Sequence, residues 1–153
     1  MEIYKRIPHT ILAEFRKPFS KSGRRMEIVP NQQLYWEFIR NLRNMDGIKQ
    51  GFIKQEEIRK DSHKEYMQKY GDCFYICLDK NKPICYIGLI NNDIRVATTP
   101  EYHKKGVGTF MVNELVKICG SDIVAKVKID NEASLKLFQR CGFKIKYYLL
   151  EVE

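Results

Sequence analysis

Val96-Ala-Thr-Thr-Pro100-Glu-Tyr-His-Lys-Lys-Gly106-Val-Gly108-Thr-Phe110 is the stretch on which the fold turns. A β-branched run ends at Pro100, and a short basic loop follows whose glycines open an amphipathic segment. Gly106 and Gly108 permit backbone conformations and close approaches that a side chain would block. The first turn of a helix starting there offers unpaired N–H groups and the positive end of the helix dipole to an anion. His103, Lys104 and Lys105 add positive charge at the mouth. The expectation is a pyrophosphate cradle made mostly of backbone. It is neither of the two commonest phosphate loops: GxxxxGK[ST] is absent, and Met111 stands where GxGxxG would need its third glycine.

Working outward, the apolar runs 73–78 and 84–90 read as strands joined by the turn Asp79-Lys-Asn-Lys-Pro83. Residues 94–99 form the next strand. From Gly106 to Cys119, Val107, Phe110, Met111, Leu115, Val116 and Ile118 make one helical face. A strand over 123–129, a helix from Ala133 to Arg140 closed by Cys141-Gly142, and a strand from Phe143 to Val152 complete the C-terminal half. Upstream, MEIVP (26–30) is a short strand, and Asn31 caps a helix with apolar Leu34, Trp36, Phe38, Ile39 and Leu42. A second helical region begins near Ile53, and Ser62-His-Lys-Glu65 has the pattern of a capping box starting another. No linker or repeat divides the chain, so residues 1–153 are expected to form a single domain, with 1–24 as an N-terminal extension of unclear pattern.

The loop His103-Lys104-Lys105-Gly106-Val107-Gly108 resembles the [Q/R]-x-x-G-x-[G/A] signature of the GNAT N-acetyltransferase superfamily. Asn131-Glu-Ala-Ser134-Leu-Lys-Leu-Phe138-Gln-Arg-Cys-Gly142-Phe143 resembles that family's second common segment, N-x-x-[AS]-x-x-x-[YF]-x-x-x-G-F. The resemblance spans roughly residues 85–148. It implies a mixed α/β fold with a central, mostly antiparallel twisted sheet of about six or seven strands flanked by about four helices, and acetyl-coenzyme A (acetyl-CoA) as the acyl donor.

Position by position, the resemblance implies that the backbone around Lys105, Gly106, Val107, Gly108 and Thr109 holds the coenzyme A pyrophosphate, with His103 and Lys104 beside it. Val96, Ala97 and Thr98 belong to the strand that would bond the pantetheine arm as a neighbouring strand does. Asn131, Ser134 and Phe138 would meet it from the other side, although Asn131 and Ser134 read equally as a helix cap and a surface hydroxyl. The sequence departs from the pattern twice. His103 replaces the usual Gln or Arg, and Phe138 stands where many members have a Tyr credited with protonating the leaving thiolate. Tyr102, water or no dedicated acid would take over that proton.

An alkylammonium must lose a proton before it attacks a thioester. The resemblance makes Asp93 the best-placed base, with His63 and Glu101 as further candidates; Asp93 equally suits a turn cap in Asn91-Asn-Asp93. A strand N–H near Val96 is the expected oxyanion donor. For the acceptor, the early helix looks like the corresponding part of enzymes that acetylate nucleotide-linked amino sugars. Tyr35 and Trp36 would stack on a base or sugar, and Arg40 and Arg43 would meet a diphosphate; helix core and solvated arginines are the alternative. A protein or peptide amine is the alternative acceptor, and a basic nucleic-acid-binding or cofactor-binding-only module the non-enzymatic alternative.

Composition sets outer bounds. Lys and Arg outnumber Asp and Glu by 27 to 19, a net charge of +8 that favours an anionic partner without choosing one. No helix-turn-helix, zinc or RNA-recognition signature accompanies the charge, so nucleic acid is not the expected partner. The five cysteines are odd in number and lack metal-ligand spacing, so neither a disulfide framework nor a metal site is expected. No apolar stretch reaches the roughly 18 residues of a membrane span, and the N-terminal residues lack a signal-peptide core. A cytoplasmic monomer or homodimer acting on a small amine is the resulting expectation.

Overall fold

The computed structural model describes residues 26–153; the expectation of an N-terminal extension over 1–24 lies outside them. Four antiparallel strands stand in sequence order: β1 (Met26–Pro30), β2 (Phe74–Asp79), β3 (Lys82–Ile90) and β4 (Asp93–Thr98). Register places Ile28 opposite Cys77, Cys77 opposite Cys85 and Ile87 opposite Val96, with a bulge at Cys77/Leu78. Two-residue turns join β2 to β3 and β3 to β4. Lys80, Asn81, Asn91 and Asn92 all have positive φ, the signature of type I′ turns whose twist matches that of the strands.

Among the described residues four α-helices cover the sheet: α1 (Trp36–Asn44), α2 (Lys60–Tyr70), α3 (Val107–Cys119) and α4 (Glu132–Arg140). All of β2 and most of β3 are buried because helices lie on both faces. That is why these strands read as continuous apolar runs rather than alternating ones. On one face, Ile87, Leu89 and Ile94 pack with Val107, Met111, Val112 and Leu115 of α3. On the other, Ile76, Tyr86 and Ile90 pack with Ile39 and Leu42 of α1 and Met67 of α2. α4 ends in a Schellman motif: Gly142 at φ 89° donates to Gln139 O at 3.1 Å, and Phe143 N donates to Phe138 O at 3.0 Å. The same turn brings the rings of Phe138 and Phe143 edge to face at 5.2 Å.

Several expectations are corrected. Among the described residues the sheet has four strands, not six or seven. The 123–129 segment touches β4 by one parallel bridge, with Ile94 N donating to Val124 O at 2.9 Å and Val124 N to Asn92 O at 2.8 Å. The expected strand over 143–152 joins no ladder among the described residues, and Tyr147, Tyr148, Leu150 and Val152 are exposed. Alternation of apolar residues was present in both segments, but a strand also needs a neighbour that stays alongside. Residues 52–59 are irregular and α2 begins at Lys60. Ser62 therefore sits inside its first turn, bonding Arg59 O at 3.1 Å, rather than capping it. Asn31 does not cap α1 either: a 3₁₀ turn (Gln33–Tyr35) intervenes, and its amide donates to Gly71 O at 3.2 Å. Among the described residues no helix is long and apolar enough to cross a membrane.

Gly88 lies directly opposite Phe74, and a Cβ there would fall 2.4 Å from that ring. Gly88→Ala is therefore expected to destabilise the fold by about 1–3 kcal/mol through overpacking, read from denaturant unfolding.

Candidate active site

β4 parts from the 123–129 segment after their single bridge, and a cavity of about 1220 Å³ opens there. That exceeds the roughly 300–1,000 Å³ typical of one small ligand, so it has room for two. Its walls are β4, the loop leading into α3, the first turn of α3, the length of α4, the 47–54 loop after α1, and Lys126, Val127, Leu149 and Glu151. Strand geometry fixes which backbone groups face it. Ile94 N–H points to Val124, so by the two-residue period Val96 and Thr98 turn their N–H and C=O groups to the same open edge. Thr98 O is taken up by His103 Nε2 at 2.7 Å, which draws the loop into a tight return.

The return itself is made by two left-handed residues, Lys104 at φ 60° and Gly106 at φ 81°. Alternation of this kind gathers successive N–H groups into a concave, anion-binding nest. Val107, Gly108 and Thr109 precede the first intrahelical bond of α3, from Phe110 N to Gly106 O at 2.9 Å, so their N–H groups have no helical partner. A Cβ on Gly108 would meet Leu137 Cδ1 at 2.8 Å, whereas one on Gly106 would meet nothing within 4 Å. Gly108 thus serves the close approach of α3 to α4 and Gly106 the positive φ. A cradle of free N–H groups with Lys104, Lys136 and Arg140 along the same cavity fits a pyrophosphate.

Of the residues expected at the cofactor, all but Lys105 line this cavity. The Lys105 ammonium lies 5.4 Å from the centre of the Tyr102 ring instead. Asn131 is the cap of α4, accepting from Ser134 N at 3.1 Å, and it also donates to Gly51 O at 3.1 Å. It therefore ties the start of α4 to the 47–54 loop, and a Cβ on Gly51 would fall 2.8 Å from its amide nitrogen. Phe138 is 6 % exposed and carries no proton to give. The Tyr102 hydroxyl donates to Asp79 Oδ2. Cys141 has its thiol 3.7 Å from Thr109 O, and burial pushes its pKa up, away from thiolate chemistry.

The expected bases separate. Asp93 is buried and lines the cavity; its Oδ2 lies 3.2 Å from Arg95 and its Oδ1 is buried with no hydrogen-bond partner among the described residues. His63 is outside the cavity lining, buried on α2 with Nε2 2.8 Å from Trp36 O. Glu101 is exposed and pairs with Lys82 at 3.4 Å. Among the four expected acceptor residues only Arg43 faces the cavity. Tyr35 and Trp36 pack against the core under α1, and Arg40 bonds Glu37 at 3.0 Å and Ile58 O at 3.2 Å. Arg95 is a cavity residue the sequence reading overlooked. Its signal was the strand period: Ile94 and Val96 point to the α3 core, which leaves Asp93, Arg95 and Ala97 together on the other face.

Gly108→Val is expected to weaken coenzyme A binding at least about tenfold, since one side chain spoils both the cradle and the α3–α4 contact; calorimetry measures this. Unchanged affinity would displace the site. Burial holds the His63 pKa below its ordinary value of 6.5. With the folded value below the unfolded one, neutral His63 contributes fully above about pH 6.5, and that contribution is lost as pH falls through the folded value. Urea midpoints are therefore expected to fall between pH 7.5 and pH 5, and more shallowly in His63→Gln.

Residues 32–143 match the Acetyltransferase (GNAT) family. The chain is 40 % identical over 53 residues to the Cysteine-rich protein 2-binding protein of Mus musculus and of Homo sapiens. That match takes in 34 % of this chain and spans only 7 % of the length of those relatives. In structure it is similar to the spermidine N-acetyltransferase of Vibrio cholerae in complex with CoA and spermine. The TM-score is 0.69 at 19 % identity, covering 83 % of this chain and 85 % of that one. It is similar also to RimL, a ribosomal L7/L12 α-N-protein acetyltransferase in complex with coenzyme A, at TM-score 0.66 and 16 % identity over 86 % of each. At those identities the likeness establishes a shared fold. With the family match running over most of its length and the cradle in place, the chain belongs to the acetyltransferase (GNAT) family.

Proposed function

We propose that the protein transfers an acetyl group from acetyl-CoA to a primary amine. The observation that carries this reading is the β4–α3 return, where an open strand edge at Val96 leads into a left-handed turn and the free N–H groups of Val107, Gly108 and Thr109. Acetyl-CoA, when bound, supplies the acyl group as a thioester. The chain's own contribution would be to hold it along β4 and to receive the proton of the acceptor ammonium, while the C–S bond breaks and the coenzyme A thiolate leaves, taking its proton from water. Asp93 is the proposed acceptor of that proton, because it is the one expected base among the residues that line the cavity. The Val96 N–H is the proposed donor to developing negative charge on the acyl oxygen. Phe138 excludes water beside the thioester rather than acting as an acid.

The narrower reading of the acceptor is the amino group of a nucleotide-linked amino sugar. Its support lies in the basic lining of the cavity, from Arg43, Lys54, Arg95 and Lys126, and no longer in stacking by Tyr35 and Trp36.

Thiol release from acetyl-CoA with a panel of nucleotide-linked amino sugars, polyamines and peptides tests both readings. Turnover on some amine is expected; coenzyme A binding without turnover on any of them would overturn the catalytic reading. Turnover confined to peptides would retain the chemistry and discard the sugar. Asp93→Asn is expected to lower kcat by about 100-fold while leaving acetyl-CoA affinity within about twofold. An unchanged kcat would remove Asp93 from the mechanism.

A further inference from the structure

Arg43 and Arg95 come from distant parts of the chain to one cavity wall. Arg43 stands in the last turn of α1 and Arg95 in the middle of β4, and α1 packs on β4. Each has its Nε buried and without a hydrogen-bond partner among the described residues. A desolvated guanidinium N–H left unpaired is unfavourable, and an arginine is the side chain least able to escape by losing its proton. Both guanidinium groups are also held in place. Arg43 lies over the Phe52 ring at 4.9 Å, and Arg95 is tied at 3.2 Å to Asp93. Their charges act on the same two neighbours, Tyr66 and Tyr86, where each partly offsets the rise in pKa caused by burial. Both arginines line the one cavity, and two planar guanidinium cations there match the fork geometry of a carboxylate or phosphate.

We propose that Arg43 and Arg95 bind an acidic group, carboxylate or phosphate, carried by the acceptor amine itself. The proposal rests on the acetyltransferase reading and narrows its substrate: the acceptor bears an anion at a distance from the amine that reaches Asp93. A polyamine is disfavoured, because its second cation would fall against Arg43, Lys54 and Lys126. Phe52 sets the plane of the Arg43 fork and so selects a planar or tetrahedral oxyanion over a lone halide-like charge.

The test uses the full chain and matched amines that differ only in the acid. Glucosamine is compared with glucosamine 6-phosphate, and glutamate with its diester, alongside spermidine. The expected result is a kcat/KM at least about tenfold higher for one or both acid-bearing members. Which pair shows it tells phosphate from carboxylate. Arg43→Gln and Arg95→Gln are each expected to erase that preference by raising KM for the acidic acceptor, with coenzyme A affinity kept as evidence of folding. Arg43→Lys should restore part of it. Calorimetry of the acid-bearing amine with the coenzyme A-loaded protein should lose its signal in the Gln variants. Equal rates on both members of each pair, a preference for spermidine, or a preference that survives both Gln variants would overturn the proposal while leaving acetyl transfer intact. Absence of turnover on every amine, or of coenzyme A binding, would overturn the proposal together with the function it rests on.

Discussion

The open edge of β4 is the constraint on which the rest depends. One edge of that strand is fully paired with β3, while the other is bridged once, at Val124, and then has no neighbouring strand among the described residues. Backbone N–H and C=O groups are costly to leave unmatched away from water. Each later feature answers that demand in part: His103 takes the Thr98 carbonyl, the loop turns left-handed, and α3 starts with its N–H groups facing the same space. What is left over, around Val96, is a strand edge suited to an amide-bearing ligand lying alongside it.

The two cores hold the two ends of the cleft independently. The cradle is anchored by α3, whose Val107, Met111 and Leu115 are buried on one face of the sheet. The opposite end is anchored by α1 and α2 on the other face, through Ile39, Leu42 and Met67. Asn131 links them, bonding α4 internally and reaching across to Gly51. His63 belongs to this framework as well, fastening α2 to the start of α1 through Trp36. A residue type suited to proton transfer thus turns out to be a strut, while the less conspicuous Arg95 lines the cavity.

Legibility in the sequence followed how local the determining physics was. The hairpins were readable from Lys80-Asn81 and Asn91-Asn92 and the apolar runs beside them, and α3 from its apolar spacing and Gly106. The C-cap of α4 was equally local, since Cys141-Gly142-Phe143 contains all its parts. Pairing of 123–129 and 143–152 depends on where another strand lies, which apolar alternation does not encode. The cradle was legible for the same reason as α3, but the acceptor side was not. Tyr35, Trp36 and Arg40 sit at plausible helical positions, and only the packing of α1 on the sheet decides that Arg43 alone among them meets the cavity.

Amide hydrogen exchange with and without coenzyme A bears on the central claim most directly, because it reads the backbone groups themselves. Added protection is predicted at Val96 and over Val107–Thr109, with little change in β1 and α2, which lie outside the cleft. Binding that leaves those amides exchanging as before, or protects the β1 edge instead, would contradict the account of an open strand edge and helix start as the coenzyme site.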